Sequence, residues 1–200
     1  MLKIGITGGM GSGKTTICQV LETFGVPVYY ADLRAKAVMN ENAEVKQKLK
    51  AFFGDGIYGE DGLLQRKLLS EKAFSNPELL KKLEAVTHPA VAEDFEQWAN
   101  QKHFSPLPYI VKEAALLFES GTYKQMDKNI LVKADFEERL KRIIERDNTT
   151  REKAMLRIEK QWPDEKKEPL ADYIILNNSE ALLLPQIITL HKLFSKDITA

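Results

Sequence analysis

Residues 4–16 read Ile-Gly-Ile-Thr-Gly-Gly-Met-Gly-Ser-Gly-Lys-Thr-Thr, and the rest of the chain has to be arranged around them. A short apolar run enters Gly8-x4-Gly13-Lys14-Thr15, and a helical pattern (Ile17, Cys18, Val20, Leu21) leaves it. Strand, glycine-rich turn and helix in that order is the context a phosphate-binding loop needs. Its backbone amides can converge on phosphate oxygens, with the positive end of the helix dipole behind them. Gly9, Met10, Gly11, Ser12, Gly13, Lys14, Thr15 and Thr16 are therefore the expected nucleoside-triphosphate cradle. Lys14 would reach the β- and γ-phosphates, and the Thr15 hydroxyl would ligate Mg²⁺. This loop predicts a βα-type sheet protein and a phosphoryl ligand together.

Further strands are read at Val26–Tyr30, Leu107–Val111 (entered through Pro106 and Pro108), Ile130–Val132 and Tyr173–Leu176. Helical periodicity over Leu33–Asn100 is broken by glycines at 54–62 and interrupted at His88-Pro89. Ser75-Asn76-Pro77-Glu78 reads as a helix start there. Seventy residues without a convincing strand is too much for one crossover and predicts an inserted helical subdomain. Asp135–Asp147 is a helix carrying Arg139, Arg142 and Arg146 on one face, followed by a charged, mostly helical stretch to Lys167 and a last helix over Glu180–Phe194. The expectation is an α/β, three-layer P-loop kinase fold with a five-stranded parallel sheet. Residues 1–31, 105–135 and 170–200 would form the nucleotide-binding core, 32–104 the helical acceptor subdomain and 136–169 a lid.

Composition narrows the partners. Lys plus Arg equal Asp plus Glu at 29 each, so nothing in the net charge favours nucleic acid or an anionic membrane surface. No apolar run approaches the ~18 residues that span a bilayer. One cysteine, Cys18, rules out an internal disulfide, and its helical position reads as core. The start of the chain shows no signal-peptide pattern, so the expectation is a cytoplasmic protein with no membrane, nucleic-acid or obligate protein partner.

Among loop-bearing nucleotide binders, the guanine-reading N-K-x-D of GTPases is absent. Insertions around a small sheet are the plan of nucleoside and nucleotide kinases. Further segments extend the pattern: Ala31-Asp32 with Ala35-Lys36; Leu83-Glu84 with His88-Pro89 and Val91; and Leu116-Leu117-Phe118-Glu119. Arg142 with Arg146-Asp147, Arg157-Ile158 with Gln161, and Ala171–Ile175 with Asn177 complete it. In this order, from residue 4 to 178, the set resembles the dephospho-CoA kinases. Tyr30, Lys36 and Ala115 depart from that family's Asp, Arg and Pro, and Arg139 stands where it often has Gln.

The resemblance implies transfer of the ATP γ-phosphoryl to the ribose 3′-hydroxyl of dephospho-CoA, giving CoA and ADP, with Mg²⁺. It implies Asp32 as base, with Lys14 and Arg142 also catalytic, and Arg142, Arg146 and Asn177 on ATP. It implies Asp32, Lys36, His88, Leu117 and Glu119 on the acceptor. Read without it, Asp32 is equally a helix N-cap, the arginines a solvated face, Asn177 a turn cap, and His88 structural. Glu113 is either a partner of Mg²⁺-bound water or nothing, and His103 and His191 carry no signal. A kinase for another hydroxyl acceptor, or a nucleotide switch that needs no base at Asp32, are the competing readings.

Overall fold

The computed structural model describes residues 1–101, 104 and 107–196; His103 and Pro106 lie outside them. Backbone contacts divide the chain into two compact units, residues 1–30 with 101–200, and residues 31–100.

In the first unit, β1 (Leu2–Gly8) leads through the glycine loop into α1 (Lys14–Thr23) and then β2 (Val28–Tyr30). The chain returns with β3 (Tyr109–Glu113) and β4 (Lys128–Lys133). Next come α6 (Phe136–Asp147), α7 (Arg151–Ile158), α8 (Asp164–Lys167), β5 (Tyr173–Leu176) and α9 (Leu183–Lys196). Among the described residues the strands form one all-parallel sheet in the order β2-β3-β1-β4-β5. Central β1 is buried from Ile4 to Gly8, as a strand covered on both faces must be. One face packs Ile4, Ile6, Val111, Ile130, Val132 and Ile175 against Ile17, Cys18 and Leu21 of α1 and Ile187 and Phe194 of α9. On the other, Gly5 leaves room for Leu117 and Met126, since a Cβ there would lie 2.7 Å from Leu117 and 3.0 Å from Met126. Cys18 is wholly enclosed, and burial, followed by the charges of Glu113 and Glu22, pushes its thiol far above the ordinary range. His191 packs against Phe24 and hydrogen-bonds Tyr109 Oη through Nδ1 at 2.8 Å, a structural role.

The second unit contains α2 (Ala31–Glu41), α3 (Ala43–Phe53), α4 (Arg66–Phe74) and α5 (Pro77–Ala99). A small core of Val45, Leu49, Phe53, Ile57, Leu69 and Val86 holds it together. The helix start read at Asn76 is present: its side chain accepts from the amides of Glu78 (2.9 Å) and Leu79 (3.4 Å), with Pro77 in the first turn. Two expectations need correction. α5 runs through His88-Pro89 without a break, because packing on α2, α3 and α4 outweighs the bond lost at Pro89. Strand 2 stops at Tyr30, so Asp32 occupies the first turn of α2 rather than a strand end or an N-cap.

Candidate active site

The loop between β1 and α1 has the predicted backbone. Gly11 (φ 79°) and Gly13 (φ 93°) are left-handed, conformations that favour glycine. Ser12 N–H closes the turn on Gly9 O at 3.1 Å. Lys14 Nζ is buried and folds back to donate to Gly8 O at 3.0 Å and Gly9 O at 3.4 Å. Thr15 and Thr16 are exposed at the start of α1. A cleft of about 680 Å³ opens here, lined by Gly11, Gly13, Lys14, Thr15, Thr16, Arg142, Glu145 and Arg146, a size suited to a nucleotide.

α6 brings its arginines to this loop. Arg142 donates to Gly11 O (3.3 Å), to Asn177 O (3.0 Å) and to Glu138 (2.8 Å). The Ser179 amide, and after it Arg142, hold the Glu138 carboxyl below its ordinary range. Asn177, just past β5, donates its amide Nδ2 to Ser12 O at 2.8 Å, so here it braces the loop. Arg146 donates Nε and Nη2 to the two carboxylate oxygens of Asp147 (2.7 and 3.1 Å), which also receives Arg157; these guanidiniums, Arg146 first, draw the Asp147 carboxyl down to about 2.

Other expected residues fall elsewhere. Leu117 is fully enclosed under the sheet, so its expected contact with an acceptor gives way to a packing role. Glu119 Oε1 accepts the Trp162 amide at 3.0 Å and pairs with Lys167 Nζ at 3.2 Å, while its Oε2 is buried without a hydrogen bond. Asp32 and Lys36 are exposed on α2, four residues apart and so on one face, and His88 is exposed on α5. Glu113, buried at the end of β3, lies beside Ile6 and Tyr30 in the register. Tyr30 Oη donates to Glu22 at 3.0 Å.

Two residues given no role from sequence touch the loop directly. Arg139 donates Nε to Met10 O at 3.0 Å, and its guanidinium covers Gly9, where a Cβ would lie 2.2 Å from it. Gln161 accepts the Met10 amide at 2.6 Å and donates to Ala115 O at 3.0 Å. The i, i+3, i+7 spacing of the arginines could have flagged Arg139. Gln161 stands beyond the last turn of α7, where no periodicity points to the loop.

The model of the dephospho-CoA kinase family matches residues 2–182. The chain belongs to that family. The dephospho-CoA kinase of Bacteroides fragilis is 37% identical over 189 residues, covering 94% of this chain and 91% of that one. That of Geobacillus kaustophilus is 38% identical over 177 residues, 88% of each. The solved dephospho-CoA kinase from Campylobacter jejuni superposes with a TM-score of 0.71 at 30% identity, covering 98% of both chains. A shikimate kinase from Bacteroides thetaiotaomicron, 14% identical with a TM-score of 0.52, shares the fold alone. The chain is thus a dephospho-CoA kinase family enzyme, which phosphorylates dephospho-CoA to CoA at the expense of ATP in the final step of CoA synthesis.

Proposed function

We propose that this kinase binds ATP in the cleft at Gly8–Thr16 and directs the γ-phosphoryl to the ribose 3′-hydroxyl of dephospho-CoA held by residues 31–100. The observation that carries this reading is the loop itself, with left-handed glycines and the Lys14 ammonium folded at its rim. Phosphoryl transfer needs positioning and charge neutralisation more than covalent chemistry. Lys14 would exchange two backbone carbonyls for the β- and γ-phosphates. Arg142 and Arg146 line the same cleft and would hold phosphate or stack on adenine. Asn177 would keep the loop in shape by its bond to Ser12 O. Asp32 would orient the acceptor hydroxyl and take its proton late in transfer. Lys36, one turn on, and His88 would contact the acceptor, and Glu119 would act by fixing Trp162 and Lys167. Residues 136–169 would exclude water by closing over ATP.

The residues fit Mg²⁺ carried on the nucleotide. Thr15 offers a hard oxygen at the cleft, and among the described residues no three His, Cys, Asp or Glu side chains group into a separate metal site. The ion would neutralise charge on the transferring phosphates. No helix among the described residues is long and apolar enough to cross a membrane. Membership of the family supports ATP and dephospho-CoA as the partners of a cytoplasmic enzyme, and the lone buried cysteine suits a reducing compartment.

A coupled ADP-release assay with MgATP, comparing dephospho-CoA with adenosine and other nucleosides, tests the reading. Release confined to dephospho-CoA, with CoA identified by mass, is the expected result. Acceptor-independent hydrolysis alone would overturn it. Asp32→Asn is expected to lower kcat at least about a hundredfold with ATP affinity unchanged; near-normal turnover would remove Asp32 from the role of base.

A further inference from the structure

The tip of the phosphate loop, Met10, is held by the 136–169 segment at every group it offers. Its side chain packs against the buried cluster of Leu140, Ile143 and Ala154. Its carbonyl accepts from Arg139 Nε at 3.0 Å. Its amide donates to Gln161 Oε1 at 2.6 Å, a short bond. The Gln161 amide is oriented without ambiguity, because its Nε2 end donates to Ala115 O at 3.0 Å and only this placement satisfies both ends. Gln161 therefore spans the loop after β1 and the loop after β3, and fills the acceptor position on a loop amide with a neutral oxygen.

That amide sits at a particular end of the cradle. The ammonium of Lys14, which serves the β/γ end of a bound triphosphate, lies against Gly8 O and Gly9 O. Residues 8–10 thus border the place of the terminal phosphate, whereas the amides at the start of α1 lie at the inner end. A γ-phosphate oxygen and the Gln161 carbonyl are acceptors for the same kind of donor at the same end of the loop. The β-phosphate of ADP does not reach as far.

We infer that Gln161 is a positioning residue that reads the terminal phosphate: it holds the Met10 amide until a γ-phosphate oxygen replaces it, so ATP but not ADP releases the Gln161 contact. This rests on the loop being the nucleotide site. Exchange of one acceptor for another on Met10 N–H would alter the hold of residues 136–169, the arm beside the loop, without any change in its apolar packing.

The test uses the full chain, β,γ-imido-ATP and ADP, with affinities measured by calorimetry in Mg²⁺. Gln161→Ala removes the competing acceptor, and the ratio of imido-ATP to ADP affinity is expected to rise about fivefold, the worth of one hydrogen bond. Gln161→Glu places a carboxylate against the γ-phosphate, and the same ratio is expected to fall below that of the parent. A merely structural glutamine would shift both nucleotides alike, so an unchanged ratio in both variants overturns the inference. A second readout needs no nucleotide. The Met10 amide resonance of the free protein is expected to move in Gln161→Ala, and in the parent the Gln161 side-chain amide signals are expected to move with imido-ATP but not with ADP. A Met10 resonance that stays in place, or Gln161 signals that respond equally to both nucleotides, refutes it. If neither nucleotide binds, the nucleotide-site reading itself fails, while the Met10 resonance still tests the clasp.

Discussion

Replacing Lys167 by Met asks how much the arm depends on one enclosed ion pair. Lys167 is fully buried, and its Nζ lies 3.2 Å from Glu119 Oε1. The two are within ion-pair distance, yet Nζ makes no well-aligned hydrogen bond and Glu119 Oε2 has none either. Attraction between the charges is therefore what offsets their desolvation. Removing the cation leaves a carboxylate whose side chain is only 12% exposed, with the Trp162 amide as its remaining donor. Loss of one partner from a buried pair costs about 3–5 kcal/mol. At roughly 2–4 °C per kcal/mol for a chain of this size, Lys167→Met should lower Tm by about 6–20 °C. The double variant Glu119→Gln with Lys167→Met keeps an acceptor for Trp162 N–H and removes both charges. It should recover at least about 2 kcal/mol, an interaction energy read from the double-mutant cycle. Urea unfolding followed by circular dichroism, with thermal scans alongside, gives all four corners of the cycle. A loss below about 1 kcal/mol in Lys167→Met, with additive effects in the double variant, would show that charge pairing does not hold this part of the arm.

Further outcomes follow from other contacts. Gly11→Ala puts a Cβ at φ 79° and 2.5 Å from Arg139 O, so ATP binding in titration calorimetry should weaken at least about tenfold; unchanged affinity would mean the loop is not held as described. Asp147 has a folded pKa below its unfolded one, so its contribution to stability is complete above about pH 4 and lost as pH falls toward 2. The difference in urea midpoint between the parent and Asp147→Asn should accordingly shrink across that window, and a constant difference from pH 7 to 3 would contradict the pairing with Arg146 and Arg157. Pro89→Ala gives α5 back one backbone donor and should stabilise the protein by about 1–3 kcal/mol in urea unfolding; an unchanged or lowered midpoint would show that the bond lost at Pro89 carries no cost here.

Much of this architecture was legible because the glycine loop carries its own context and the apolar runs are short and buried. The limits were set where charge is buried. The apolar run Leu107–Val111 marks β3, with Glu113 expected at its end; the strand is Tyr109–Glu113, and Lys112 and Glu113 are both enclosed and paired in register with β1 and β2. Sheet pairing, not side-chain polarity, decided that boundary. Val26 and Pro27 were read into β2, but that strand begins at Val28; Pro27 keeps only its carbonyl, which accepts from Val111 at 2.9 Å. The proline at 89 was read as a break because local propensity forbids what three neighbouring helices permit. In the candidate site the loop residues were evident, as was the shared face of Arg139, Arg142 and Arg146. Contacts such as Gln161 with Met10 join residues 151 positions apart, and no local pattern encodes them.

The solitary thiol gives the molecule a built-in clock. Cys18 faces the apolar layer between the sheet and α1, and both enclosure and neighbouring carboxylates keep it protonated. An alkylating reagent can reach it only when that layer parts. Its modification rate in the untouched sequence is therefore a one-atom gauge of how often the central sheet breathes, and a bound nucleotide that steadies the β1–α1 connection should slow it.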